Sequence, residues 1–174
     1  MAIFTKTGDD PEHFWLVDGS PDFSIMPANT MAMFPEALPI RLHVGNQIFG
    51  QVHTEKHWNK KTAGNRTVPE LIHYKLGQSG RIHCTEKDSK IKIVMSLSPG
   101  GLMVMEHRHQ TVGYKREYYF SVITFYKRTG VDGDEIGRYE GRRRLPLVPI
   151  VPPKVATEDL PSNEPAENPG TAKK

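Results

Sequence analysis

The sequence predicts an α+β fold: two N-terminal helices packed on a four- to five-stranded antiparallel sheet, between an irregular N-terminal arm and a disordered, proline-rich C-terminal tail. Three observations carry this expectation. Helical spacing and cap signals are confined to residues 48–77, apolar/polar alternation of period two takes over from Gly80, and large apolar residues nearly vanish after Val155. The corresponding divisions are an acidic arm over 1–39, a basic body over 40–147 and a tail over 148–174.

The arm is dense in Pro, Gly and Asp. Its short apolar clusters, Phe14-Trp15-Leu16-Val17 and Met31-Ala32-Met33-Phe34, read as irregular structure or a short strand packed onto the body. In Pro39–Gly45, Ile40, Leu42 and Val44 alternate with Arg41 and His43, the pattern of a half-buried strand with His43 on its polar face. A helix over Ile48–Trp58 would set His53 and His57 four residues apart on one face with Lys56 beside them, leaving Phe49, Val52 and Trp58 to face a core.

The link after Trp58 is basic and contains glycine, so Lys60, Lys61 and Arg66 are expected on a flexible, phosphate-facing loop. Thr67-Val68-Pro69-Glu70 then supplies a hydroxyl cap, an early proline and a glutamate three residues after the cap. Leu71, Ile72 and Leu76 form its apolar stripe, and Gly77 stops the helix.

From Gly80 the expected strands are Arg81–Thr85, Lys90–Ser98, Leu102–His109 and Tyr118–Arg128, with Pro99-Gly100-Gly101 as a turn and Gln110–Glu117 as a looser link. Tyr118–Arg128 is the longest β-prone run and is apolar on both faces, which argues for a central strand. Ile136–Arg144 is short and very basic, ending in Arg142-Arg143-Arg144. The tail has too little apolar surface to offset the entropy of ordering it.

Charge is distributed unevenly. Residues 1–39 hold one lysine against six acids, whereas 40–150 hold nineteen Lys and Arg against ten acids. A positive body of this kind favours a polyanionic partner, most often nucleic acid. The single cysteine, Cys84, excludes an internal disulfide and a cysteine-based zinc site. No apolar run of about eighteen residues occurs, and Met1–Lys6 lacks the basic-then-apolar pattern of a leader, so no membrane partner and a cytoplasmic location are expected.

Histidine exchanges protons near neutral pH, and a neighbouring ammonium stabilises an anion brought between them. RNA carries its own nucleophile in the 2′-OH. Its cleavage needs a base for that proton, an acid for the leaving 5′-oxygen, and cations and hydrogen-bond donors for the charged phosphorane. His53 and His57 could divide the proton transfers, with Lys56 and Arg128 supplying charge and Thr124 and Tyr126 supplying hydrogen bonds.

Gly50-Gln51-Val52-His53-Thr54-Glu55-Lys56-His57, followed by Val68-Pro69-Glu70-Leu71-Ile72 and by Val122-Ile123-Thr124-Phe125-Tyr126, resembles the phage and polymorphic-toxin branch of the barnase–EndoU–colicin–RelE-like nucleases. The resemblance covers roughly residues 40–128. It implies a small metal-independent ribonuclease without a cofactor, with helices packed on a four-stranded antiparallel sheet. His53, Lys56, His57, Thr124 and Tyr126 would surround the scissile phosphate. It further implies RNA as partner, a place for a neutralising immunity or antitoxin protein, and action in the cytoplasm of a bacterial or phage-infected cell. The long basic loop after Trp58, and His107 and His109, have no place in the family pattern.

Two other classes remain open on the residues alone. His53 and His57 at i, i+4 could hold a cation together with His107 and His109 or a carboxylate, as in a metal-dependent hydrolase, although Thr54 stands where a His-Glu-x-x-His motif needs glutamate. A non-catalytic module that binds nucleic acid or a host protein would use the aromatic and basic residues of Tyr118–Tyr126 for stacking.

Overall fold

The computed structural model of the chain describes residues 1–58, 64–86, 91–97, 100–127 and 130–141, all within one compact unit. Among them are nine strands and two helices: β1 (Phe4–Lys6), β2 (Trp15–Val17), β3 (Asp22–Met26), β4 (Leu38–Arg41), α1 (Gly50–His57), α2 (Val68–Lys75), β5 (Gly80–Glu86), β6 (Ile91–Leu97), β7 (Gly101–Val112), β8 (Lys115–Tyr126) and β9 (Asp134–Tyr139). Strands β1 and β2 pair with each other; the other seven form a single sheet in the order β3-β4-β8-β7-β6-β5-β9. Every pair is antiparallel except β4–β8, where Ile40 and Arg41 run parallel to Phe120 and Ser121.

This overturns the expected architecture of two helices on a four- to five-stranded antiparallel sheet. The protein is mostly β, each helix has only eight residues, and the sheet is mixed and curled. The arm is not an irregular appendage. It contributes β3 to the main sheet, and Val17, Phe23, Met26, Met31 and Leu38 are buried in the core. Its strands are too short for alternation to show, and its prolines and glycines lie between them except Pro39, which sits within β4 opposite Ile25. The tail expected over 148–174 lies outside the described residues.

Helix α2 is the filling of the curl. Val68, Leu71, Ile72 and Leu76 are buried in one cluster with Phe23, Ile40, Ile82, Met95, Met105, Phe120 and Tyr139, residues from strands at both ends of the sheet. Its capping box forms as the sequence suggests, with the Glu70 carboxylate accepting from the Thr67 N–H at 2.7 Å and the Thr67 hydroxyl at 2.8 Å. Those bonds hold the Glu70 carboxyl below its ordinary pKa.

Curling brings the edge strands β3 and β9 together without a backbone ladder between them. The Tyr139 hydroxyl donates to the Leu76 carbonyl at 2.7 Å and, its one proton spent, accepts from the Ser24 hydroxyl at 2.6 Å. One phenol thus ties β9, β3 and the end of α2. Gly137 permits the approach, because a Cβ there would collide with the Thr30 carbonyl oxygen.

Helix α1 packs against β8. Its buried positions are Gly50 and Thr54; of the residues expected to face a core, Phe49 is buried just before the helix, half-buried Trp58 stacks on the core residue Phe125 at 4.9 Å, and Val52 is half-buried. No side chain caps its N-terminus. Instead the Gln51 and Val52 N–H groups donate to the strand carbonyls of His43 and Val44, at 3.0 and 3.2 Å. That docking needs Gly50 at φ 78°, where a Cβ would stand 2.8 Å from both the Gly45 Cα and the His43 carbonyl oxygen.

Tyr139→Phe keeps the buried ring but removes the partner of the Leu76 carbonyl and the Ser24 hydroxyl. Stability in urea unfolding should fall by about 2–4 kcal/mol, the scale of two buried polar groups left unpaired. A loss below about 0.5 kcal/mol would mean that apolar burial alone holds the edges together.

Candidate functional site

The strand register divides β7 and β8 into two faces. Phe120, Val122 and Phe125 turn towards the core cluster with Met103 and Met105. On the opposite face the partners are Leu102 and Tyr126, Val104 and Thr124, Glu106 and Ser121, and Arg108 and Tyr119. A bulge between Val104 and Met105, opposite Ile123, carries Thr124 and Tyr126 onto the same face as Ser121. Leu102, Tyr119, Val44 and Phe49 are buried but lie outside the main cluster, which marks this face as a second packed layer beneath α1 and the segment before it.

At the Tyr126 end stand the histidines of α1. The His53 and His57 rings are 5.0 Å apart between centroids and near-perpendicular, and the His57 ring lies 6.1 Å from that of Tyr126. His53 Nδ1 is 2.7 Å from the Gln47 carbonyl oxygen, which can only accept, so Nδ1 carries the hydrogen and the neutral ring keeps its lone pair on Nε2. The Lys56 ammonium donates to the same carbonyl at 3.1 Å, bringing its charge beside His53. His57 is exposed, and Thr124 sits two residues before Tyr126 on the strand.

Thr124 Oγ1 and Ser121 Oγ are both buried without a hydrogen-bond partner among the described residues. Native chains rarely leave buried hydroxyls unpaired. Beside them Glu106 is 5% exposed, an unusual position for a carboxylate, and accepts from Arg108 Nε at 2.8 Å. The Arg108 guanidinium also lies over the Phe49 ring at 4.5 Å.

Glu106, Arg108 and Ser121 were not among the residues expected to form the site. Their signal in the sequence is a carboxylate standing where Leu102 and Val104 set an apolar alternation. The structure brings together His53, Lys56, His57, Tyr126 and, on the same face, Thr124. Arg66 is not part of this group, since its guanidinium lies 4.4 Å from the centroid of the Tyr74 ring on α2. Lys60, Lys61 and Arg128 lie outside the described residues.

The four-histidine metal set is not assembled. His107 and His109 pack on Tyr118, on the Phe120 side of β7–β8, away from His53 and His57. Among the described residues no group of three or more His, Cys, Asp or Glu side chains converges as metal ligands would. Nor, among them, is any helix long and apolar enough to cross a membrane.

His43 closes the far end of the same face. It is 1% exposed, its Nδ1–H donates to the Glu12 carbonyl at 3.2 Å and its Nε2 accepts from the Tyr119 hydroxyl at 3.1 Å. Burial, reinforced by the Arg108 charge, holds its pKa down to about 4, and burial raises that of Tyr119. Both are neutral near pH 7 and serve as scaffold. No protein-family model matches the chain, and neither the curated proteins nor the solved structures contain a significant match to it.

His43 makes stability pH-dependent. An unfolded histidine takes a proton below about pH 6.5, whereas the folded His43 refuses it down to about 4, so stability present above pH 6.5 is lost as pH falls through that window. The total loss should be about 3 kcal/mol by urea unfolding at stepped pH. His43→Gln, which cannot titrate, should start less stable and lose that part of the slope; an unchanged slope would assign the effect to other groups.

Proposed function

We propose that the chain is a metal-independent endoribonuclease, cleaving RNA by general acid–base attack of the 2′-OH, and that α1 and β8 carry its active site. The observation that supports this most is the meeting of His53 and His57 with Tyr126, from segments about seventy residues apart, next to a buried hydroxyl without a partner. Nothing in local propensity requires that meeting. A structural role for the histidines would not call for a free Nε2 on one ring and an exposed second ring beside it.

In this mechanism His53 Nε2 takes the proton of the 2′-OH, whose oxygen attacks the adjacent phosphorus. His57, protonated, gives its proton to the departing 5′-oxygen, leaving a 2′,3′-cyclic phosphate and a free 5′-hydroxyl. The Lys56 ammonium offsets charge developing on the phosphorane, and the Thr124 and Tyr126 hydroxyls donate to its oxygens. The Thr124 hydroxyl has no partner to displace among the described residues, and because it is closed to solvent its donation requires α1 to shift as RNA binds. No cofactor takes part. RNA is the substrate, the cytoplasm of a bacterial or phage-infected cell is where the chain would meet it, and a neutralising protein is the partner expected of such an effector.

The test uses the full chain and an oligonucleotide with a single ribose among deoxyribose residues. Cleavage at the ribose should persist at full rate in chelator, and His53→Ala or His57→Ala should each lower it by about a hundredfold or more. Thr124→Val should leave stability unchanged or raised, since it removes an unpaired hydroxyl, yet slow cleavage. Loss of cleavage in chelator, or wild-type rates in both histidine variants, would reject the mechanism.

A further inference from the structure

The other face of the β7–β8 hairpin carries a feature that the proposed ribonuclease chemistry does not use. A cavity of about 170 Å³ is lined by Phe34, Glu36, His107 and Tyr118 among others. Within it the His107 and Tyr118 rings form an offset stack, 9° apart with centroids at 5.3 Å; the Phe34 ring stands 4.9 Å from His107 at 54°. Tyr118 is 44% exposed, so part of its ring stays open to a ligand. Burial and the neighbouring His109 lower the His107 pKa, which favours the neutral ring.

A second, polar cavity of about 310 Å³ adjoins the first, sharing Glu36, Leu38 and Tyr118 with it. It adds Lys115 and Arg116, both exposed and without an ion pair among the described residues. It also adds Glu117 and Arg41, whose guanidinium is bound to Asp22 at 2.7 Å and to Glu117 at 3.7 Å but whose buried Nη1 has no partner among the described residues. An open aromatic ring leading into a hollow where three cations outnumber the Glu117 carboxylate, with Glu36 at the junction, suits a ligand that is flat at one end and anionic at the other. The two cavities together fall in the usual size range of small-molecule sites.

We propose that these cavities form a nucleotide-binding site. The base stacks on the open part of the Tyr118 ring, the Glu36 carboxylate accepts hydrogen bonds from its amino edge or from the ribose hydroxyls, and the phosphate rests against Lys115 and Arg116. Each part answers to a distinct chemistry: stacking is tolerant of base identity, and the paired cations supply most of the attraction for phosphate. The site is independent of the histidine pair on α1, because His107 and Tyr118 share the Phe120 face whereas Thr124 and Tyr126 lie on the other. The occupant is either a free nucleotide or one nucleotide of an RNA strand; the recognition chemistry is common to both.

Calorimetric titration of the full chain with 5′-AMP, 5′-GMP, adenosine, inorganic phosphate and an uncleavable 2′-O-methyl hexanucleotide separates these cases. A nucleotide should bind at least tenfold more tightly than adenosine or phosphate alone. Tyr118→Ala should weaken it by about tenfold or more, and Lys115→Ala with Arg116→Ala likewise, while Tyr118→Phe keeps the stacking face and the affinity. All three positions are exposed or half-exposed, so thermal melting of the variants should match the wild type. Binding of the mononucleotides assigns a free nucleotide; binding of the hexanucleotide alone, with the same loss in the variants, assigns an RNA strand. No saturable binding by any probe, or binding that Tyr118→Ala leaves unchanged, overturns the proposal.

Discussion

The Tyr139 hydroxyl holds the two ends of the seven-stranded sheet in one place, and most of the molecule's geometry follows from that. Edge strands β3 and β9 are joined by no ladder, so their approach depends on a phenol oxygen that accepts from Ser24 while it donates to Leu76. An open sheet of seven twisted strands would leave α2 covered on one side only. With the ends drawn together, its apolar residues meet β3, β4, β5, β6, β7, β8 and β9 in a single cluster.

Closure on one face determines what the other can do. Once Phe120, Val122 and Phe125 are committed to the core, alternation and the bulge opposite Ile123 send Ser121, Thr124 and Tyr126 outward. Helix α1 reaches that surface because its N-terminus is held by the carbonyls of His43 and Val44, in a loop that Gly45 and Gly50 alone can close. The parallel pairing of Ile40 and Arg41 with Phe120 and Ser121 sets the segment leading into α1 alongside β8. The histidines therefore owe their position beside Tyr126 to strand pairing and two glycines, together with the Trp58 ring stacked on Phe125 at the end of the helix.

What could be seen in the sequence was local. The capping box of α2 needs only Thr67, Pro69 and Glu70, and it formed as expected. The β5–β6–β7 meander follows from period-two alternation and a glycine turn, and β8 was recognisable as interior by its apolar residues on both faces. Pairings between distant segments left no such trace: the β4–β8 parallel contact and the joining of β3 to β9 are set by the packing of the whole chain. Gln110–Glu117 seemed a loose link because polar residues occupy both faces there, yet it is the outer part of a continuous hairpin with Gln110 opposite Glu117 and Val112 opposite Lys115. The histidine pair and Tyr126 were visible as chemistry-bearing residues. Glu106 and Ser121 were not, because a single polar residue in a strand carries no sign of burial until its neighbours are known.

The outward face of β8 also departs from what stability alone would select. Buried hydroxyls without partners cost on the order of 1–3 kcal/mol each, and a carboxylate exposed to only 5% of its surface is sustained by its bond to Arg108. Valine or alanine at positions 121 and 124 would pack the same space without that cost. The scaffold at the far end follows the opposite rule: His43 and Tyr119, equally polar, satisfy each other and the Glu12 carbonyl. Within one strand, then, Tyr119 is satisfied by His43, while Ser121 and Thr124 keep hydroxyls without a partner among the described residues. On the proposed reading, the Thr124 hydroxyl beside Tyr126 is the donor that an anionic transition state would take up, although buried polar atoms without a partner among the described residues also occur elsewhere, at Trp58 Nε1 and Gln78 Oε1.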